Sequence, residues 1–185
     1  MGGHHAKIPP KELCDLCSRT CFDEKELKMW HDKFKKEYPS GSITKQDFIK
    51  LYRDYYKSGD AKRFSEHVFR VFDANNDGRI DFKEFVCALS VTTRGSPQEK
   101  LRWAFSIYDI DGNGCITARE LVTIIKSIKS MADALDDQNI SDEKILEIFK
   151  TFDLNKDGVL TADEFMIGAG KNPLFMKMLE DYVAS

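Results

Sequence analysis

The sequence predicts an all-α fold assembled from four helix–loop–helix units, and three observations carry that prediction. Apolar residues recur at helical spacing through most of the 185 residues. Between those stretches, a twelve-residue pattern of oxygen-bearing side chains, a central glycine and a closing glutamate occurs three times, after one damaged copy. Loop starts at positions 36, 73, 109 and 153 space the units almost regularly, with a longer third linker. Together these describe four EF-hands in two paired lobes, residues 1–94 and 95–185, with short β-bridges between paired loops.

The clearest copy runs from Asp109 to Glu120. Asp109, Asp111, Asn113, Thr117 and Glu120 put oxygens at loop positions 1, 3, 5, 9 and 12, while Cys115 at position 7 lends only its backbone carbonyl. Such a set suits Ca2+, a hard cation that takes six to eight oxygens at roughly 2.3–2.6 Å. Gly114 makes the sharp turn at position 6, where φ is positive. Ile116 at position 8 is expected to point into the core, opposite its counterpart in a neighbouring loop. Asp73, Asn75, Asp77, Arg79, Asp81 and Glu84 fill the same slots, and so do Asp153, Asn155, Asp157, Val159, Thr161 and Glu164. A helix cap would account for Thr117 with Glu120 and Thr161 with Glu164, but not for the alternating acids upstream. Three calcium sites are therefore expected, with Mg2+ a substitute when calcium is absent. The second loop, with four acids, is expected to be the tightest or the most tolerant of Mg2+.

The first copy reads Lys36, Tyr38, Ser40, Gly41, Thr44 and Asp47, with Ile43 at position 8. Lysine brings an ammonium where a carboxylate is needed, and Asp47 is one methylene too short to close the loop. No cation is expected there.

Taken in order, Met1-Gly2-Gly3-His4-His5-Ala6-Lys7 approaches an N-myristoylation signal, with Gly2 as the acceptor and Ala6 where Ser or Thr is usual. One such chain gives reversible membrane binding, with a partition constant of about 10⁴ M⁻¹. Residues 12–21 read as a short helix bearing Cys14, Cys17 and Cys21 on one face. An odd total of five cysteines argues against a disulfide framework, and this spacing, even with His4 or His5, fits no closed zinc template. Reduced, mostly packed thiols are expected. Glu24 to Phe34 enters the first hand; Phe48, Leu51, Tyr52 and Tyr55 leave it. Phe64, Val68, Phe69 and Phe72 enter the second hand, and Phe82, Phe85, Val86 and Leu89 leave it. A lobe of about 90 residues cannot enclose this much aromatic surface in its own core. Trp30, Phe34, Phe48, Tyr52, Tyr55, Phe85, Leu89 and Trp103 are accordingly read as walls of a groove for an amphipathic target helix.

Thr92 to Pro97 breaks the helical period, with Gly95 as hinge between lobes. Met131 to Asp142 reads as an acidic loop. Asn172-Pro173 starts a last helix, whose apolar face is Leu174, Phe175, Met178, Leu179 and Tyr182. No apolar run reaches the length of a membrane span, and no signal-peptide core follows Met1, so a cytoplasmic protein, reversibly membrane-associated, is expected. Residues 1–63 carry an excess of four positive charges and residues 64–185 an excess of seven negative ones. Three Ca2+ would turn the formal charge from −3 to +3 and favour an anionic membrane surface. No nucleophile, base and orienting group stand together, and no phosphate-binding glycine loop occurs, so no enzymatic activity is expected.

Gly2, the Tyr38-Pro39-Ser40-Gly41 break and the three intact loops together resemble the neuronal calcium sensor family of recoverin, visinin-like proteins, neurocalcin and hippocalcin. Ser58-Gly59-Asp60-Ala61, Glu66 to Arg70 and Ala88 to Thr92 are most similar to the neurocalcin branch. Leu101-Arg102-Trp103 and Asn113 to Ile116 are similar instead to guanylate cyclase activating proteins. The resemblance implies a calcium-myristoyl switch in which Trp30, Tyr52, Tyr55, Phe82 and Leu89 hold the acyl chain, and Gly41 and Gly95 are pivots. It implies as partners a membrane, reached through the acyl chain, and a membrane-associated target protein. No nucleic acid partner is expected, and the chain is read as a monomer or weak dimer. Regulation of a guanylate cyclase and simple calcium buffering are the alternatives.

Overall fold

The computed structural model describes residues 7–56, 61–131, 141–173 and 175–176. Gly2, Leu174, Met178, Leu179, Tyr182 and positions 132–140 lie outside the described residues. The first hand is α2 (Glu24–Glu37), β1 (Ser42–Thr44) and α3 (Lys45–Tyr55), preceded by α1 (Pro10–Arg19). The second is α4 (Ala61–Phe72), β2 (Arg79–Asp81) and α5 (Phe82–Arg94). Then come α6 (Pro97–Tyr108), β3 (Cys115–Thr117) and α7 (Ala118–Met131), followed by α8 (Asp142–Phe152), β4 (Val159–Thr161) and α9 (Ala162–Lys171).

Local chemistry explains most helix starts. Asp23 with Glu26, Thr44 with Asp47, Asp81 with Glu84, Ser96 with Glu99 and Thr161 with Glu164 are reciprocal capping boxes, each satisfying two backbone N–H groups that the first turn cannot pair. The exit helices of the first, second and fourth hands are thus capped by residues of their own loops. Asp47, too short for a cation, still completes the capping box of Thr44 at the start of α3.

The loops pair as the position-8 residues predict. β1 runs antiparallel to β2 with Ile43 opposite Ile80, and β3 to β4 with Ile116 opposite Leu160. All four side chains are buried. The damaged first loop keeps its apolar pairing residue and so remains a structural partner of the second.

Three sequence expectations change. The cysteines of α1 are exposed, because Leu13 and Leu16 own the face that meets the core. The Glu24 helix continues three residues past Phe34, so Lys36 is helical. The break between the second and third hands is shorter than read, since α5 continues through Thr92 to Arg94. Gly95 there is extended, with φ −61° and ψ 150°; a Cβ on it would stand 2.4 Å from the Val91 carbonyl oxygen. Glycine is needed for close approach, not for a left-handed turn. Gly41, by contrast, does take positive φ, at 86°.

Long-range polar contacts close the first lobe around α5. Ser90 Oγ accepts from the Cys21 N–H at 2.7 Å, and Arg94 donates to Glu26 and, at 3.1 Å, to the Cys21 carbonyl. Both partners of the Arg94–Glu26 pair are partly exposed, so solvent screens the charges and the pair contributes little.

His31 packs edge-on against Phe82 with ring centroids 5.0 Å apart, and burial, followed by the Lys35 charge, pulls its pKa below the usual histidine value. His67 is pulled down too, by burial and then by Arg70. A neutral imidazole is thus favoured by the fold, and the unfolded chain binds more protons below pH about 6.5. Stability should be fully present above that pH and fall as the medium is acidified from it toward the folded-state values. Urea midpoints in chelator at pH 7.5 and 5.5 check this: the midpoint drops at the lower pH, and His67→Gln narrows the drop.

Candidate calcium loops and aromatic face

The third loop gathers its carboxylates. One oxygen each from Asp109, Asp111 and Glu120 lie within 4.8 Å of one another, the one such acid cluster among the described residues. Backbone amides hold them there. Asp109 accepts from Asn113 N–H at 3.1 Å and Gly114 N–H at 2.9 Å, while Asp111 accepts from Asn113 N–H at 3.1 Å. Glu120, buried at 8% exposure, accepts from Ile110 N–H at 3.0 Å through one oxygen and from Thr117 N–H at 2.8 Å through the other. A single carboxylate therefore clasps both ends of the loop. Burial pushes the Glu120 carboxyl up, but the bonds from Thr117, Asp111 and Ile110 together outweigh it and keep the group below its usual range.

The second and fourth loops repeat the scaffold with differences. Asp73 accepts from Asp77 N–H at 3.0 Å and Gly78 N–H at 2.9 Å, and Glu84 accepts from Asn75 N–H at 3.2 Å and Asp81 N–H at 3.0 Å. Glu84 is nevertheless pushed up, first by burial, with the charges of Asp81 and Asp73 adding to it. Asp81 itself is engaged as the cap of α5, accepting from Glu84 N–H at 2.8 Å. The acids of this loop thus serve partly as backbone acceptors, as those of the third loop do.

In the fourth loop Asp153 Oδ2 accepts from Gly158 N–H at 3.1 Å, while Asp153 Oδ1 is buried with no hydrogen-bond partner. Leaving a buried acceptor unpaired costs about 1–3 kcal/mol, more for a charge. A cation in the loop would remove that cost. Glu164 accepts from Leu154, Asn155 and Thr161 amides, and the Thr161 bonds, chiefly, hold its carboxyl low. Arg79, Cys115 and Val159 open the strands β2, β3 and β4. The donors are oxygens throughout, the acids converge in one loop, and a carboxylate oxygen is orphaned in another. Residues of this kind fit a hard divalent cation.

The predicted groove residues fall into three groups. Phe34, Phe48 and Phe82 are buried core; Trp30, Tyr52, Phe85, Leu89 and Trp103 are half-buried against it; Tyr55 is 70% exposed. Their ring contacts form two short ladders, one around Phe85 and one around Phe48. Trp30 meets Phe85 at 6.4 Å, Phe34 meets Phe85 at 5.3 Å and Phe82 at 5.6 Å, Phe48 meets Tyr52 at 5.1 Å and Phe72 at 5.3 Å, and Phe72 meets Trp103 at 5.9 Å. Burial pushes the Tyr52 phenol far up. The sequence pattern alone missed Arg70, which ties α4 to the last turn of α6 through the Ser106 and Ile107 carbonyls. No helix among the described residues is long and apolar enough to cross a membrane.

Comparison with known proteins agrees with the loops. Residues 66–92 match the EF hand domain and residues 98–169 the EF-hand domain pair. The chain is 38% identical over 187 residues to S-modulin of Aquarana catesbeiana, covering 97% of this chain and 93% of that protein. It is 38% identical to recoverin of Homo sapiens, covering 97% and 94%, and 41% identical over 183 residues to neuronal calcium sensor 1 of Aplysia californica, covering 97% and 96%. With loops that fit calcium and likeness along nearly the whole chain, this protein belongs to the neuronal calcium sensor family of EF-hand proteins, as a calcium-binding sensor and not an enzyme.

Proposed function

We propose that the chain is a switch with three calcium sites, in which loop filling exposes the aromatic ladders of the first lobe to an amphipathic helix of a membrane-associated target. The observation that supports the reading is the position of Trp30, Tyr52, Phe85, Leu89 and Trp103, half-buried against the core rather than sealed inside it. Calcium supplies positive charge to acids that otherwise repel one another. Glu84, Glu120 and Glu164 each join a loop to its exit helix, so a change of loop shape is passed to α5, α7 and α9. When α5 turns away from α2, the Phe34–Phe85 and Trp30–Phe85 contacts part and their ring faces reach solvent. Mg2+ occupies the same oxygens when calcium is scarce. A myristoyl group on Gly2 is the membrane anchor, and it is released from the same aromatic surface as the loops fill. The protein works in the cytoplasm, returns reversibly to the membrane, and acts as a monomer or weak dimer.

Retention on a phenyl resin tests the core of this reading. The protein should bind in calcium and elute in chelator, with Trp30 and Trp103 fluorescence changing over the same calcium range. A chain that flows through in both conditions is a buffer. Mass spectrometry after co-expression with an N-myristoyltransferase should show the mass of one myristoyl chain, and Gly2→Ala should abolish it.

A further inference from the structure

Arg70 lies in the last turn of α4, in the second hand, yet its partners belong to the third. Its Nη2 donates to the Ser106 carbonyl at 2.9 Å and to the Ile107 carbonyl at 3.1 Å, across 36 and 37 residues of chain. Those carbonyls belong to the final turn of α6, where intrahelical donors have run out. Every other helix among the described residues carries a basic side chain in its own last turn; α6 has none. The negative end of the α6 dipole is therefore met by a cation from the other lobe. The next residues along the chain are the third calcium loop, and the acids that act on the Arg70 guanidinium are Asp109, Glu120 and Asp111, three of that loop's ligands. Arg70 Nε is buried without a partner, and burial outweighs the attraction of those acids, so the contacts that fix the group are its two bonds to the end of α6. Beside it, Phe72 and Trp103 make the apolar part of the same α4–α6 contact.

We infer that Arg70 couples the third calcium loop to the contact between lobes, lowering that loop's calcium affinity and losing its hold on α6 as the loop fills. The inference rests on calcium being the cation of the loops. A fixed positive charge held at the end of α6, one residue short of Asp109, attracts the acids of the loop and opposes a second cation among them. The opposition is reciprocal: whatever Arg70 takes from calcium affinity, calcium takes from the Arg70 contact. This gives a route by which the third loop loosens α4 from α6 and with it the Phe72–Trp103 edge of the ladder around Phe48.

The test uses the full chain with Glu84→Gln and Glu164→Gln, which leaves the third loop competent, and calcium alone as the ligand. Adding Arg70→Met should tighten calcium binding about 5-fold, toward the lower end of ordinary coupling between sites. Arg70→Lys, which keeps the charge but not the planar fork, should leave the affinity close to that of its parent. Unchanged or weaker binding with Arg70→Met overturns the inference, because a merely structural arginine would lower affinity on removal. A second measurement needs no change at position 70. The Arg70 Nε–H resonance should move as calcium fills the third loop and stay still when Glu120→Gln is added; a resonance that ignores filling also overturns it. A parent chain that takes up no calcium instead removes the reading of the loops themselves, and the inference falls with it.

Discussion

Glu120→Gln is expected to abolish calcium binding at the third loop, weakening it by at least about 100-fold, since loss of even an outer-shell partner of a metal costs 10- to 100-fold. The substitution keeps the shape of the side chain, but one of its two oxygens becomes an amide donor. Either choice of rotamer harms the loop. If the NH2 faces Thr117, it meets the N–H and hydroxyl that now donate to Glu120 Oε2 at 2.8 and 2.7 Å. If it faces Ile110 and Asp111, it meets their amides, which donate to Oε1 at 3.0 and 3.3 Å. The glutamate also supplies one of the three charges gathered within 4.8 Å. Two of those charges remain and no bidentate closure is left. Calorimetry should show the loss of one calcium while the second and fourth loops keep theirs, and circular dichroism should show the helices intact. Three undiminished sites would refute the assignment of Glu120 as the closing ligand.

The loops were legible in the sequence because everything that specifies them is local. Twelve consecutive residues carry the ligands, the turn and the cap, and the position-8 residue predicts which side chains meet across each β-bridge. Ile43 could be found only by its register, since its own loop has lost the acids, and it nevertheless stands opposite Ile80. What the spacing does not encode is which oxygens converge. The second loop has the most acids, but Glu84 there is pushed up by burial, whereas in the third the bonds from Thr117, Asp111 and Ile110 hold Glu120 low, beside Asp109 and Asp111. The cysteines of α1 show the same limit, because the helical period identifies faces without saying which face is covered. Leu13 and Leu16 decide it. The aromatic positions were legible as ladders but not as a depth profile. Tyr55 and Phe48 share α3, yet one is 70% exposed and the other 5%, a difference set by α4 packing against only one side of the helix. Arg70 was illegible altogether, since its two acceptors are more than thirty residues away.

Phe165→Ala should destabilise the second lobe by about 3–5 kcal/mol, the usual cost of removing a fully buried phenylalanine. Phe165 is completely enclosed in α9, at the meeting point of three other rings: Phe105 at 5.7 Å, Tyr108 at 5.5 Å and Phe175 at 5.6 Å. These rings bind the elements of the two hands together. Phe105 and Tyr108 come from α6, which enters the third loop, and Phe175 follows the Asn172 cap, whose side-chain oxygen accepts from Phe175 N–H at 3.1 Å. The neighbours cannot easily collapse into the space, because Tyr108 and Phe175 are themselves buried and Gly168 stands so close to the Phe152 ring that a Cβ there would lie 2.3 Å from it. The cavity therefore persists and adds to the lost transfer energy. Against a total of about 5–15 kcal/mol for a domain, the loss removes at least about a fifth of the stability of the calcium-free lobe. Urea unfolding in chelator, followed by far-UV circular dichroism, should show the midpoint collapse for Phe165→Ala. Tyr55→Ala, at a 70% exposed ring, should change stability by no more than about 0.5 kcal/mol. Calcium binds the folded lobe, so saturating calcium should restore much of the Phe165→Ala midpoint by mass action, through the third and fourth loops that the lobe carries. A variant that unfolds at the same urea concentration with and without calcium would show that those loops do not hold the cation in the native state.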